Sequence, residues 1–159
     1  IGSEFVIVGH SERREVFKER DSLLLKKLRS ASENGLKVIF CIGESLRDKE
    51  ENQTEKVLKQ QLQIVKKVDL NEFMIAYEPV WAIGSGITAD ADYIDNIHRG
   101  IIDEVSSYKK EGFLGVSYGG SVDSSCSKDI LAIKGVQGLL IGGASLQYQE
   151  FCNIVLSNN

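Results

Sequence analysis

Five short apolar runs punctuate the 159-residue chain: Phe5 to Val8, Lys37 to Ile42, Phe73 to Tyr77, Leu114 to Tyr118 and Gly138 to Ile141. Their Val, Ile, Leu and Phe do not alternate with polar residues, a pattern that predicts strands buried on both faces. Helix-periodic stretches separate them. Leu24, Leu28 and Ala31 share one face of a helix that Asp21 is placed to cap and Gly35 to end. Val57, Leu58, Leu62 and Val65 mark a second helix, and Ile94, Ile97, Ile101, Val105 and Tyr108 a third, with His98 assigned to its polar, solvent side. Ser125 to Ile133 predicts a short helix and Gln147 to Leu156 a closing one. Strands separated by helices are the signature of parallel βα units, so the fold class is α/β. Pattern alone leaves an open doubly wound sheet and part of a closed barrel equally available. No low-complexity stretch or proline-rich linker divides the chain, which reads as one domain over residues 1–159.

In βα architectures the functional groups collect just beyond the carboxyl ends of the strands. His10, Glu44, Glu78, Ser121 and the Gly142-Gly143 pair all fall there. Glu78 is followed by Pro79, the only proline of the chain, which disfavours a helical backbone at Glu78 and gives the carboxylate an extended exit from its strand. A carboxylate with an imidazole suits proton transfer at a carbon beside a carbonyl, the base taking the proton while the imidazole hydrogen-bonds the oxygen that becomes negative. Glu44 reads as a solvated or hydrogen-bonded loop carboxylate. Gly119-Gly120-Ser121 and Gly142-Gly143 offer closely spaced amide donors suited to a phosphate dianion. Pro79 to Gly86 reads as a mobile lid anchored by Trp81, with Gly84 and Ser85 adding a donor on closing.

Composition narrows the choices. A net charge of −4 and a pI near 5.3 argue against a nucleic-acid surface, which rests on clustered Lys and Arg. Cys41, Cys126 and Cys152 are odd in number and dispersed, as reduced thiols of a cytoplasmic protein would be, and Cys41 sits in an apolar run as a buried structural thiol. Two histidines and three scattered cysteines form no ligand cluster, so no metal is expected. No run approaches the ~18 apolar residues of a membrane helix, and no signal peptide is evident at the first residues. Ser11 beside a histidine lacks the second glycine of a nucleophile elbow, which leaves a serine hydrolase unsupported.

Four segments share a more specific likeness. Gly9-His10-Ser11-Glu12-Arg13-Arg14, Ala76-Tyr77-Glu78-Pro79-Val80-Trp81-Ala82-Ile83-Gly84-Ser85, Tyr118-Gly119-Gly120-Ser121-Val122 and Gly142-Gly143-Ala144-Ser145-Leu146 resemble, in order, motifs of the triosephosphate isomerase family. The resemblance implies a (β/α)8 TIM barrel, here about five βα units of it, running from the family's fourth strand to its C-terminal helix. A closed barrel usually takes ~250 residues, so the first strands are expected to be missing. With them go an asparagine and a lysine of the family's amino-terminal strand, which nothing before His10 could hold. The resemblance further implies interconversion of dihydroxyacetone phosphate and glyceraldehyde 3-phosphate through an enediolate, in glycolysis and gluconeogenesis. Glu78 would be the base and His10 the electrophile, Gly84, Ser85, Ser121, Gly142 and Gly143 would hold the phosphate, and Ser11 and Glu12 would support. It implies no cofactor, and a homodimer for the full-length form. The alternative is a non-catalytic α/β fragment that keeps the phosphate-binding end but lacks the lysine.

Overall fold

The computed structural model describes residues 1–86, 88–109 and 111–156. Strands β1 (Phe5–Val8), β2 (Lys37–Ile42), β3 (Phe73–Tyr77), β4 (Phe113–Tyr118) and β5 (Gly138–Leu139) pair in parallel in the order of the chain. A doubly wound sheet would turn back on itself, whereas this order runs without a switch point, as around part of a barrel. Between the strands lie α1 (Ser11–Glu15), α2 (Asp21–Glu33), α3 (Leu46–Glu50), α4 (Thr54–Leu62), α5 (Ala91–Ser106) and α6 (Ser127–Leu131), with α7 (Tyr148–Leu156) last. Short 3-10 turns occupy Val65–Lys67, Val80–Ala82 and Gly143–Leu146.

The register places Val38, Phe40 and Ile42 beside Phe73, Ile75 and Tyr77, and these beside Val116 and Tyr118. This face is sealed against Leu24, Leu28, Leu58, Leu62, Ile94, Ile101 and Val105 of the helices. The opposite face is not closed as the apolar runs predicted. Phe5 and Ile7 are 41% and 50% exposed there, because a barrel fills that side with strands from across its axis and the described strands leave it open.

Two local expectations need correction. Asp21 does not cap α2. Arg20 holds the N-cap position without a side-chain bond, and Asp21 lies inside the first turn, where its charge favours the positive end of the helix. Gly35 does follow the C-cap Asn34 at φ +70°, a conformation that suits glycine. His98 is not on the solvent side of α5 but fully buried, with Nδ1 2.9 Å from the Gly135 carbonyl and its ring against Tyr77 and Tyr118. The helices α1 and α3 were not anticipated.

Candidate active site

Strand pairing carries Glu78 to its place. The Glu78 N–H donates to the Ile42 carbonyl at 2.8 Å and the Gly119 N–H to the Tyr77 carbonyl at 2.8 Å, so the ladder runs past the strand ends and fixes the backbone on both sides of the carboxylate. Gly43 makes this approach possible, since a Cβ there would lie 1.8 Å from the Glu78 carbonyl oxygen. A Cβ on Gly119 would stand 3.1 Å from Glu78 Cγ. Gly43 escaped the reading from sequence, although a glycine at a strand end is the usual mark of close backbone approach.

The Glu78 side chain is almost fully buried and held at both oxygens. Oε1 lies 3.1 Å from His10 Nε2, and Oε2 accepts the Ser11 N–H at 3.0 Å. His10 is the N-cap of α1, and its Nδ1 accepts the Glu12 N–H at 3.3 Å. An acceptor at Nδ1 leaves the proton of a neutral ring on Nε2, which therefore donates to Glu78. Burial pushes the Glu78 carboxyl above its ordinary value of 4.5, against the opposing pull of His10, the Ser11 N–H, the Cys41 thiol and the Arg14 charge. Arg14 was not singled out from sequence. Its guanidinium donates to the Gly9 carbonyl at 2.8 Å and the Cys41 carbonyl at 3.0 Å, joining the ends of β1 and β2 beneath the pair. Cys41 is buried as expected, and burial raises its thiol, with the Glu78 charge adding to the shift. Ser11 enters through its backbone. Glu12 does so too, while its carboxylate lies on an exposed residue.

An open cleft of about 650 Å³ connects this pair to the glycine turns, lined by His10, Glu78, Gly84, Ser121, Gly142 and Gly143 among others. Ser85 is not among its lining residues, and its hydroxyl turns back to the Ala82 carbonyl at 3.0 Å. The Ser121 hydroxyl also donates to the Ala82 carbonyl, at 2.6 Å, tying the 3-10 turn Val80–Ala82 to the loop after β4. A Cβ on Gly142 or Gly143 would meet nothing within 4 Å, so the space over the last turn is free. Asp123 and Glu150 line the same end, but their carboxylates are engaged. Glu150 accepts the Ser124 N–H at 2.6 Å, and Asp123 accepts from Ser125 and Cys126, bonds to Ser125 above all holding its carboxyl below the usual range. No lysine lines the cleft among the described residues. The described residues contain no group of three or more His, Cys, Asp or Glu that could hold a metal ion, and no helix among them is long and apolar enough to cross a membrane.

Glu44 is fully buried and hydrogen-bonded, not solvated. Its Oε1 accepts from the Tyr77 hydroxyl at 2.9 Å, the Trp81 indole N–H at 2.8 Å and the Tyr93 hydroxyl at 3.0 Å. The loop after β3 therefore starts from a fixed point. Val80 adds to it by donating its N–H to the Glu44 carbonyl at 3.1 Å.

Parallel strands in chain order, with a carboxyl–imidazole pair and glycine turns at their carboxyl ends, define a (β/α)-barrel protein with its cleft on the face such barrels use. The family profile described as triosephosphate isomerase matches residues 1–158, and the chain belongs to that family. It is 42% identical over 158 residues to the triosephosphate isomerase of Thermodesulfovibrio yellowstonii, covering 97% of this chain and 64% of that one. The likeness to the Coprinopsis cinerea triosephosphate isomerase is 43% over 161 residues, with 97% and 64% covered. For Dictyoglomus turgidum the figures are 42% over 164 residues, 99% and 66%. The chain thus spans just under two thirds of the length of these curated relatives.

Proposed function

We propose that this chain carries the proton-transfer pair and the phosphate-binding end of a triose-phosphate isomerase, interconverting dihydroxyacetone phosphate and D-glyceraldehyde 3-phosphate. The 3.1 Å contact between the buried Glu78 carboxyl and the His10 imidazole at the mouth of the cleft is the observation that carries the reading. With substrate absent the two groups bond each other. On binding, Glu78 leaves His10 and the Ser11 N–H to meet the C–H beside the carbonyl, and His10 Nε2–H turns to the carbonyl oxygen. The carboxylate takes the proton from the hydroxyl-bearing carbon, and the carbonyl oxygen becomes an enediolate oxygen under the imidazole donor. His10 relays the hydroxyl proton of the first carbon to that oxygen, and delivery of the carbon proton to the neighbouring carbon completes the isomerisation. Burial of Glu78 raises its basicity for the first step. The phosphate would lie on the amides of Ser121, Gly142 and Gly143, with Gly84 and Ser85 closing from the lid. No cofactor is required.

The same reading extends to a cytoplasmic enzyme of glycolysis and gluconeogenesis and to a homodimer in the longer form. Val16 and Phe17, exposed directly after α1, support a contact surface there. Glu78→Gln tests the base. It keeps the side-chain volume and should lower turnover by about 10²- to 10⁴-fold while retaining affinity for 2-phosphoglycolate. Equal turnover in parent and variant would exclude the role.

A further inference from the structure

Glu44 and Lys49 occupy related positions around α3. Ser45 is the N-cap of that helix and forms a capping box with Asp48. The Asp48 N–H bonds Ser45 Oγ at 3.2 Å, and Asp48 Oδ2 accepts the Ser45 N–H at 3.0 Å and its hydroxyl at 2.6 Å. Glu44 is therefore the residue before the cap and Lys49 the fourth of the helix, the two places whose side chains meet across a helix start when both are apolar. Here they carry opposite charges, and Trp81 stands between them. Its indole N–H is on Glu44 at 2.8 Å, and the Lys49 ammonium lies 3.4 Å from its ring centroid. The same ammonium is 4.8 Å from the ring of Tyr93, which also donates to Glu44. Lys49 forms no ion pair with a carboxylate among the described residues, so its cation is directed at the two rings. A cation over an aromatic face draws electron density from the ring and strengthens the N–H or O–H that the ring donates.

We propose that Lys49 is a positioning residue for the lid: it holds the Trp81 indole on Glu44 and thereby fixes Pro79–Ala82 behind Glu78. The effect on a bound phosphate rests on the function proposed above, but the clamp itself does not. Trp81 is the only tryptophan, so its fluorescence reads the clamp without turnover. The experiment compares parent, Lys49→Met, Lys49→Gln and Lys49→Arg, with far-UV circular dichroism to establish that each is folded. Removal of the cation is expected to change Trp81 emission and increase its quenching by acrylamide in both neutral variants. It should also weaken 2-phosphoglycolate binding about 2- to 5-fold, the range of a partly exposed cation–π contact, with Arg restoring the parent values. Parent-like emission and quenching in the neutral variants would overturn the proposal, as would failure of Arg to restore them. Altered fluorescence restored by Arg, with no response to 2-phosphoglycolate in any of the proteins, leaves the clamp standing and removes the phosphate reading instead.

Discussion

Burial of the His98 imidazole lowers its pKa from 6.5 to about 4, the Gly135 carbonyl opposing the shift. On acidification the unfolded chain takes up this proton first, so stability falls with pH between 6.5 and about 4 and is fully present above that window. Glu78 acts in the other sense. Its carboxyl is raised by burial, so its contribution is present below its unfolded value of 4.5 and lost as pH rises through the raised value. His98→Gln removes only the first effect. In urea unfolding across this pH range, the stability of the parent relative to the variant should decline by on the order of 2–3 kcal/mol as pH drops. A difference independent of pH would contradict the assignment. The burial was readable in advance: Ile94, His98, Ile101 and Val105 follow a 4-3-4 spacing, whereas Ile97, counted with the apolar stripe, is only partly buried. A lone polar side chain among apolar neighbours reads in sequence as part of the solvent side. Glu78 and His10 were readable because both follow strand ends. Their mutual bond was not, because it depends on which donors reach a side chain across β1 and β3.

Between elements, the loop Pro79 to Gly86, proposed as a lid, is held by two kinds of constraint. Trp81, Val80 and Ala82 are tied to Glu44 and Ser121, while Gly84 and Gly86 adopt φ of +65° and +72°, a region that side-chain-bearing residues avoid. Gly84→Val should displace the tip and leave the enediolate of the proposed reaction exposed to water, where it loses phosphate by elimination. The ratio of inorganic phosphate released to aldehyde formed is expected to rise in this variant, and an unchanged partition would exclude closure as the function of Pro79 to Gly86. The strands were visible as uninterrupted apolar runs, and β1, β2 and β3 have the bounds those runs gave. The five-residue helices α1 and α3 carry too few positions for periodicity to register. The capping box of Ser45 and Asp48 was the one local signal for α3, and α1 is capped by an imidazole, outside the usual capping set.

Across the molecule, β1 and β5 each have one unpaired edge, and Leu146, Tyr148, Val155 and Leu156 are exposed along the last turn and α7. Open edges and apolar surface at the two ends of a curved sheet are what part of a barrel presents. Apolar runs could not distinguish this from a doubly wound sheet, because both use the same βα unit. Motif order pointed to the barrel, and the sequential strand pairing is consistent with it. Proton abstraction is the central step proposed for this arrangement, and it is observable even where net turnover is slow. The decisive measurement is deuterium incorporation into dihydroxyacetone phosphate in D2O, followed by proton NMR at the carbon beside the carbonyl. The expected result is enzyme-dependent exchange that Glu78→Gln abolishes. Exchange no faster than in buffer, or undiminished by Glu78→Gln, would contradict the account.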